Sequence, residues 1–155
     1  MGDKRTLSGV FVILSIVTFI ACLLLNFIEF QDGSSASIRS VIITLWYATA
    51  WILVLVTGII SRNRGAVKYC SIFWFITFIS GMYGIYGNMV ATAPRWTDLI
   101  LPIYLLFIGQ WHGLRFFMNS NNYIHNNITY FILIAVISLV MLAIAVTWLK
   151  RNKNK

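Results

Sequence analysis

Apolar residues dominate five uncharged stretches of the chain, and short polar connectors separate these stretches. They cover residues 7–28, 40–61, 69–91, 99–114 and 128–149. A hydrocarbon core of about 30 Å needs about 20 residues of α-helix, and every stretch except the fourth meets that length comfortably. The stretches are continuous and about twice as long as the alternating segments of a membrane β-barrel. The pattern therefore predicts α-helices that cross a membrane.

The composition excludes the two other broad classes of protein. Apolar residues make up 59% of the 155 residues and charged residues 10%, whereas a soluble domain has about 25% charged residues. Disordered chains are polar and rich in charge, so that class is excluded as well. No connector is long enough for a soluble domain. We therefore expect residues 1–155 to form one all-α integral membrane domain, a polytopic bundle of five apolar helices, multi-pass in the cell membrane of a bacterium.

The fourth stretch departs from the pattern. It is the shortest, and Pro102, Gly109 and Gly113 interrupt it. It also ends in the most polar part of any stretch, residues 110–115. Non-helical backbone is tolerated at membrane depth where protein buries it. An alternative architecture therefore has four spanning helices and one re-entrant or interfacial segment at 98–118.

The distribution of basic residues separates these two architectures. The chain has 12 Lys and Arg against 4 Asp and Glu, which gives a net charge of +8. If all five stretches cross, the basic residues divide evenly between the two sides, and the positive-inside rule shows no preference. If the fourth stretch does not cross, only Arg39, Arg95 and Arg115 lie on the outer side. Hydropathy favours five crossings and charge favours four, so both stay open.

Small and polar residues follow one face of each of the first three helices, at 100° per residue. We call this set the inner polar seam. Its members are Ser8, Ser15, Thr18, Cys22, Asn26 and Glu29, then Ser40, Thr44, Tyr47, Trp51 and Gly58, then Cys70, Trp74, Thr77, Gly81, Gly84 and Asn88. Such faces let membrane helices approach closely and exchange hydrogen bonds, so the seam predicts a packed bundle. A pathway or pocket lined by the same residues is the alternative interpretation.

Candidate binding residues lie where ionisable and polar groups meet the ends of the helices. Glu29 ends the first stretch one turn after Asn26, and Asp98 precedes the fourth. The sequence Gln-Trp-His-Gly-x-Arg, residues 110–115, includes an arginine whose planar fork suits an anionic headgroup or a small anion. An arginine that reaches the interface from a helix end is the alternative interpretation. The candidate ligand-binding residues are Asn26, Glu29, Asp98, Gln110, Trp111, His112 and Arg115.

The remaining chemistry of the sequence favours neither an enzyme nor a metal or cofactor site. The four carboxylates form no close pair within a stretch, and His112 and His125 lack carboxylate neighbours at the spacing of metal ligands. Cys22 and Cys70 lie in different stretches, with no disulfide or zinc pattern around them. The basic clusters flank the apolar stretches, as expected near anionic lipids, and do not suggest binding to nucleic acid.

Two functions from different classes fit these observations. The first is a non-catalytic accessory, assembly or immunity-type membrane protein that acts through helix packing. Its partners would be membrane lipids and another membrane protein or a second copy of itself, and bulky substitutions at Gly81 or Gly84 would disrupt that assembly. The second is a carrier or channel for a small solute or a lipid, which would use the inner polar seam between helices 1–4.

Overall fold

The computed structural model describes residues 2–31, 35–90, 97–118 and 123–152. The helices in these ranges are α1 (Gly2–Gln31), α2 (Ile38–Ile60), α3 (Arg64–Met89), α4 (Thr97–Ile108), a 3₁₀ helix (Gly109–Phe117) and α5 (Tyr123–Arg151). We call α4 together with the 3₁₀ helix the inserted segment. Five segments of the described chain are long and apolar enough to cross a membrane by length and composition. The predicted all-α class with five apolar helices is therefore confirmed.

Side chains of the short connectors cap the N-termini of α2 and α3. The Ser37 hydroxyl accepts a hydrogen bond from the Ser40 amide at 3.2 Å, and the Ser40 hydroxyl accepts one from the Ser37 amide at 3.3 Å. The Asn63 side chain accepts one from the Ala66 amide at 3.2 Å. These bonds satisfy amide groups that have no partner inside the helix. Arg62 has a left-handed φ of 54°, which lets the chain reverse direction between α2 and α3 within three residues.

Hydrogen bonds near both ends of α1 show that α1 and α2 are antiparallel. Near the end of α1, the Asn26 amide group donates to the Thr44 hydroxyl at 3.0 Å, early in α2. At the start of α1, Ser8 accepts from Asn63, just after α2, at 3.4 Å. The tight turn at Asn63 makes α2 and α3 antiparallel as well. We call the end of the bundle that holds this turn the basic end, because Arg62, Arg64 and Lys68 lie there.

The α5 helix packs along α3, also in the antiparallel direction. A Cβ atom at Gly81 would lie 3.3 Å from the side chain of Ala135, and one at Gly84 would lie 2.5 Å from the ring of Phe131. Glycine thus lets the two helices approach closely. The sequence assigned this small-residue face to an external partner under the first functional hypothesis. That assignment is wrong, because α5 of the same chain covers Gly81 and Gly84.

Both ends of the inserted segment lie at the end of the bundle opposite the basic end. The Arg115 guanidinium lies over the rings of Phe30, in the last turn of α1, and Tyr130, early in α5. The connectors 91–96 and 119–122 can reach at most about 25 Å and about 18 Å, whereas α3 is about 39 Å long. The segment therefore cannot start or finish at the basic end, and Tyr104 of α4 contacts Tyr83, near the end of α3, at 5.1 Å between centroids. We call the end of the bundle opposite the basic end the insertion end.

The inserted segment reaches the middle of the bundle and returns. Phe107 contacts Phe19 in the middle of α1 and Phe73 in the middle of α3, with ring centroids 5.8 and 5.5 Å apart. Eight residues later, Arg115 is back at the level of Phe30 and Tyr130. With α1, α2, α3 and α5 alternating in direction, four helices run the length of the bundle. Of the two arrangements left open by the sequence, these contacts favour four crossings with a re-entrant segment.

The inner polar seam lines the interior of the bundle, as predicted from the spacing of its residues along one face of each helix. Its members are buried, except that Glu29 is half-buried and Asn88 is exposed. Aromatic side chains fill the space between the helices: Trp51 and Phe73 stack at 3.4 Å between centroids, and Tyr47 packs edge-on against both. The seam therefore marks helix packing.

Candidate functional site

The polar centre of the molecule is Asn26, where α1, α2 and the 3₁₀ helix meet. Its side-chain NH₂ group lies within hydrogen-bond distance of the Thr44 hydroxyl (3.0 Å), the Gln110 carbonyl oxygen (3.3 Å) and the Ser40 carbonyl oxygen (3.4 Å). Thr44 donates to the same Gln110 carbonyl at 3.0 Å and accepts from the Gly113 amide at 3.1 Å. Side chains of α1 and α2 therefore satisfy the backbone of the inserted segment, which lipid could not do.

Two glycines permit the 3₁₀ helix to lie this close to α1 and α2. A Cβ atom at Gly113 would overlap the Ser40 carbonyl group, and one at Gly109 would lie 3.1 Å from the Phe27 ring. A 3₁₀ run of nine residues is unusually long, because 3₁₀ helices rarely exceed three or four residues. The external hydrogen bonds from Asn26 and Thr44 account for its persistence here.

Trp111 and His112 point their rings in different directions from this backbone. The Trp111 ring enters the aromatic interior, 5.7 Å from Tyr47 and 6.0 Å from Trp74 between centroids. The His112 ring lies edge-on to Phe30 at 5.9 Å. Both side chains are buried. Trp111 thus fixes the depth of the segment, and His112 packs against the last turn of α1.

Arg115 connects the inserted segment to the first and last helices of the bundle. Its guanidinium carbon lies 5.2 Å from the centroid of Phe30 and 4.8 Å from that of Tyr130. These are cation–π distances, and such contacts are strongest where water is excluded. The Tyr130 hydroxyl in turn donates to the Ile108 carbonyl oxygen at 3.0 Å. α5 therefore contributes directly to holding the segment.

Of the two acidic candidates, the structure describes the side-chain contacts of Glu29 but not those of Asp98. The Glu29 carboxylate accepts hydrogen bonds from the hydroxyls of Ser37, at 3.3 Å, and Ser40. It thereby ties the end of α1 to the first turn of α2. Asp98 lies in the first turn of α4, and its side chain is outside the described part of the structure.

The side chains of six of the seven predicted binding residues are described, and four of them, Asn26, Gln110, His112 and Arg115, belong to one polar cluster. We call Asn26, Thr44, Gln110, His112 and Arg115 the insertion cluster. Sequence reasoning placed Thr44 in the packing seam and missed its role in holding the inserted backbone. Phe30 and Tyr130 were missed altogether, since an aromatic residue at a helix end carries no signal for a contact with an arginine far away in sequence.

Several polar atoms of the insertion cluster have no hydrogen-bond partner within the described chain. They are Asn26 Oδ1, Gln110 Oε1, both ring nitrogens of His112 and Arg115 Nε. Asn26, Gln110 and His112 are fully buried. Buried polar groups are nearly always hydrogen-bonded, so this cluster retains the capacity to bind a polar group or water. Across the described residues, no group of three or more His, Cys, Asp or Glu side chains could hold a metal ion.

Three seam residues outside the cluster use their hydroxyl groups within their own helices. Ser15 donates to the Val12 carbonyl oxygen at 2.7 Å, Thr18 to that of Leu14 at 2.7 Å, and Thr77 to that of Phe73 at 3.0 Å. These bonds satisfy the hydroxyl groups without a solute. Below the insertion cluster, the interior is mainly aromatic. The buried polar atoms there that have no partner in the described chain are the Tyr47 hydroxyl, the indole N–H groups of Trp51, Trp74 and Trp111, and the Ser138 hydroxyl.

Two apolar recesses open on the outer surface of the bundle. The α1–α2 groove has a volume of about 360 Å³ and is lined by Leu14, Val17, Thr18, Ala21, Cys22, Leu25, Ile42, Ile43 and Trp46. The α1–α3 crevice has a volume of about 250 Å³ and is lined by Ile16, Phe19, Trp51, Tyr69, Ile72, Phe73, Ile76 and Phe107. Both recesses suit apolar occupants.

No protein-family model matches the chain, and no curated protein or solved structure matches it either.

Proposed function

We propose that this chain is a non-catalytic, multi-pass protein of a bacterial cell membrane that binds another membrane protein, as an accessory, assembly or immunity-type partner. The observation that supports this function is the α1–α2 groove. It is the larger of the two recesses described above and faces the region where lipid or a partner helix would lie. Residues on its rim are large, apolar and exposed, such as Trp46 and Ile42.

The floor of the groove has the chemistry that membrane helices use to associate. Thr18, Ala21 and Cys22 are small, so a partner backbone could approach closely there. The Cys22 thiol and the Thr18 hydroxyl already bond to backbone carbonyls of Ile43 and Leu14, so neither requires a polar ligand. The groove therefore favours the apolar face of another helix.

The packed interior supports binding over conduction. Aromatic rings fill the middle of the bundle, where Trp111 contacts Tyr47 and Trp74 and Phe107 contacts Phe73. A channel for a polar solute would need donors and acceptors along its length. The Thr18 and Thr77 hydroxyls bond to their own helices. The Tyr47 hydroxyl and the indole N–H groups of Trp51, Trp74 and Trp111, which have no partner in the described chain, are buried within this aromatic packing.

Site-specific photocrosslinking in native membranes tests the partner function. A photoreactive residue at Ile42, on the groove, should give one discrete crosslinked protein, whereas the same residue at Leu139, exposed on α5, should not. Ala21→Trp, which fills the groove, should lower that crosslink at least fivefold. Ala143→Trp, exposed on α5, is the matched control and should leave it unchanged. Equal crosslinking at Ile42 and Leu139 would contradict the proposal.

A second candidate, binding of a small polar ligand or a lipid headgroup, is favoured by one observation. Buried polar atoms of Asn26, Gln110 and His112 have no partner in the described chain. Mass spectrometry of small molecules retained in mild detergent tests this candidate. A species lost on His112→Phe, in a variant that still elutes as a folded protein, and kept in Ala143→Trp would support it. Identical retention by all three proteins would reject it.

A further inference from the structure

The inserted segment leaves one part of the bundle unfilled by the described chain. It descends from the insertion end only as far as Phe107, in the middle of the bundle. Between Phe107 and the basic end, α1 and α3 make few direct contacts, and the α1–α3 crevice lies between them. Phe107 forms the upper boundary of this crevice, and Tyr69 lines it one helical turn above the start of α3.

The crevice is apolar and open to the side. Aromatic rings of Phe19, Trp51 and Phe107 form its inner wall, while Ile16 and Ile72 at its edge are 44% and 60% exposed. A recess of this kind within a bilayer has hydrocarbon chains as its immediate neighbours. A flexible acyl chain can follow its irregular shape, because burying apolar surface needs no particular direction of contact.

Basic residues lie next to lining residues of the crevice on α3, near the basic end. Lys68 directly precedes Tyr69, and it lies four residues before Ile72 on the same face of α3. Its side chain is exposed. Arg64 lies one turn before Lys68, at the start of α3, and is also exposed. Basic groups in this position beside an apolar slot between membrane helices are the pattern that recognises anionic lipid headgroups.

We propose that the α1–α3 crevice is a binding site for an anionic phospholipid. One acyl chain lies against Phe19, Trp51 and Phe107, and the phosphate group is held by Lys68 at the edge of the crevice. The lipid completes the half of the bundle that the inserted segment does not reach. This site is separate from the α1–α2 groove, so it goes beyond the partner function and does not depend on it.

Native mass spectrometry in mild detergent tests the site directly. The probes are phosphatidylglycerol and phosphatidylcholine with identical acyl chains, added in equal amounts. The wild-type protein should retain phosphatidylglycerol preferentially. Lys68→Gln should weaken that retention about fivefold, as expected for one basic group near a headgroup. Ile72→Trp, which blocks the edge of the crevice, should lower retention of both lipids.

Two matched variants keep the test decisive. Lys150→Gln removes an exposed basic residue at the same end but on α5, and Leu139→Trp adds a bulky ring to an exposed position of α5. Both should bind lipid as the wild type does, and all variants should elute as folded protein. Equal losses in Lys68→Gln and Lys150→Gln would show charge attraction without a site and overturn the proposal. Equal retention of both lipids by the wild type would also overturn it. So would a wild-type dimer that retains no lipid, if Ile72→Trp abolishes the dimer.

Discussion

Asn26 shows how one side chain makes a re-entrant backbone tolerable inside a membrane. A helix satisfies its own amides and carbonyls, whereas a segment that turns back leaves some without partners. Asn26 and Thr44 donate to the carbonyl oxygen of Gln110, and Thr44 accepts from the amide of Gly113. These residues therefore stabilise the inserted segment whether or not a ligand binds at the same cluster.

Replacing Asn26 with Leu should destabilise the protein by about 1–3 kcal/mol, because the buried carbonyl oxygens of Gln110 and Ser40 lose a donor. Unfolding in a titration with a denaturing detergent, followed by tryptophan fluorescence, measures this change. Asn88→Leu is the matched control, since Asn88 is exposed and donates to the Gly84 carbonyl of its own helix. Equal stability of the two variants would show that Asn26 does not hold the segment.

The helices differ in how far the sequence reveals their roles. Periodicity correctly predicted the buried faces of α1, α2 and α3, because a regular helix repeats its contacts every few residues. The path of the inserted segment could not be predicted with the same success. It depends on single contacts between distant residues, such as that of Asn26 with Gln110, and on glycines fitted against a neighbouring backbone. Pro102, Gly109 and Gly113 indicated an irregular segment but not its depth.

The pairing of α3 with α5 was also hidden, for a different reason. Gly81 and Gly84 signalled a close approach, yet glycine carries no information about which helix approaches. Ala135 and Phe131 fit opposite these glycines only in the antiparallel alignment of α3 and α5. The small-residue face of α3 therefore serves the fold itself, and a partner must bind elsewhere on the surface.

Gly84→Ala should destabilise the α3–α5 pair by about 1–3 kcal/mol. The new methyl group would lie 2.5 Å from Cδ1 and 2.7 Å from Cγ of Phe131, so the whole ring must shift. The same detergent titration measures the loss. Gly87→Ala, one turn further on and with no atom within 4 Å, should be neutral or slightly stabilising because alanine favours the helix. If both substitutions had the same effect, the alignment of α3 and α5 described above would be incorrect.

The directions of the four long helices show which end of the bundle carries most of the basic residues, which the sequence alone left ambiguous. The start of α1, the α2–α3 turn and the end of α5 lie at the basic end. Arg62, Arg64, Lys68, Lys150 and Arg151 are in these elements. Arg39 and Arg115 lie at the insertion end, as does Glu29. Because the cytoplasmic side of a membrane protein collects the excess of Lys and Arg, the basic end should face the cytoplasm.

With four crossings, a reporter fused after Lys155 should lie in the cytoplasm. An alkaline phosphatase fusion, which is active only in the periplasm, should therefore be inactive, and a fluorescent protein fusion, which is bright only in the cytoplasm, should be bright. An odd number of crossings would give the opposite result. A fusion inserted between Met118 and Tyr123 should give the opposite pattern, because the inserted segment ends and α5 begins at the insertion end. Removing Lys150, Arg151, Lys153 and Lys155 together should weaken the bias, since only five basic residues then remain at the basic end. An active phosphatase after Lys155 in the unaltered chain would require the inserted segment to complete the crossing, and the re-entrant arrangement would then be wrong.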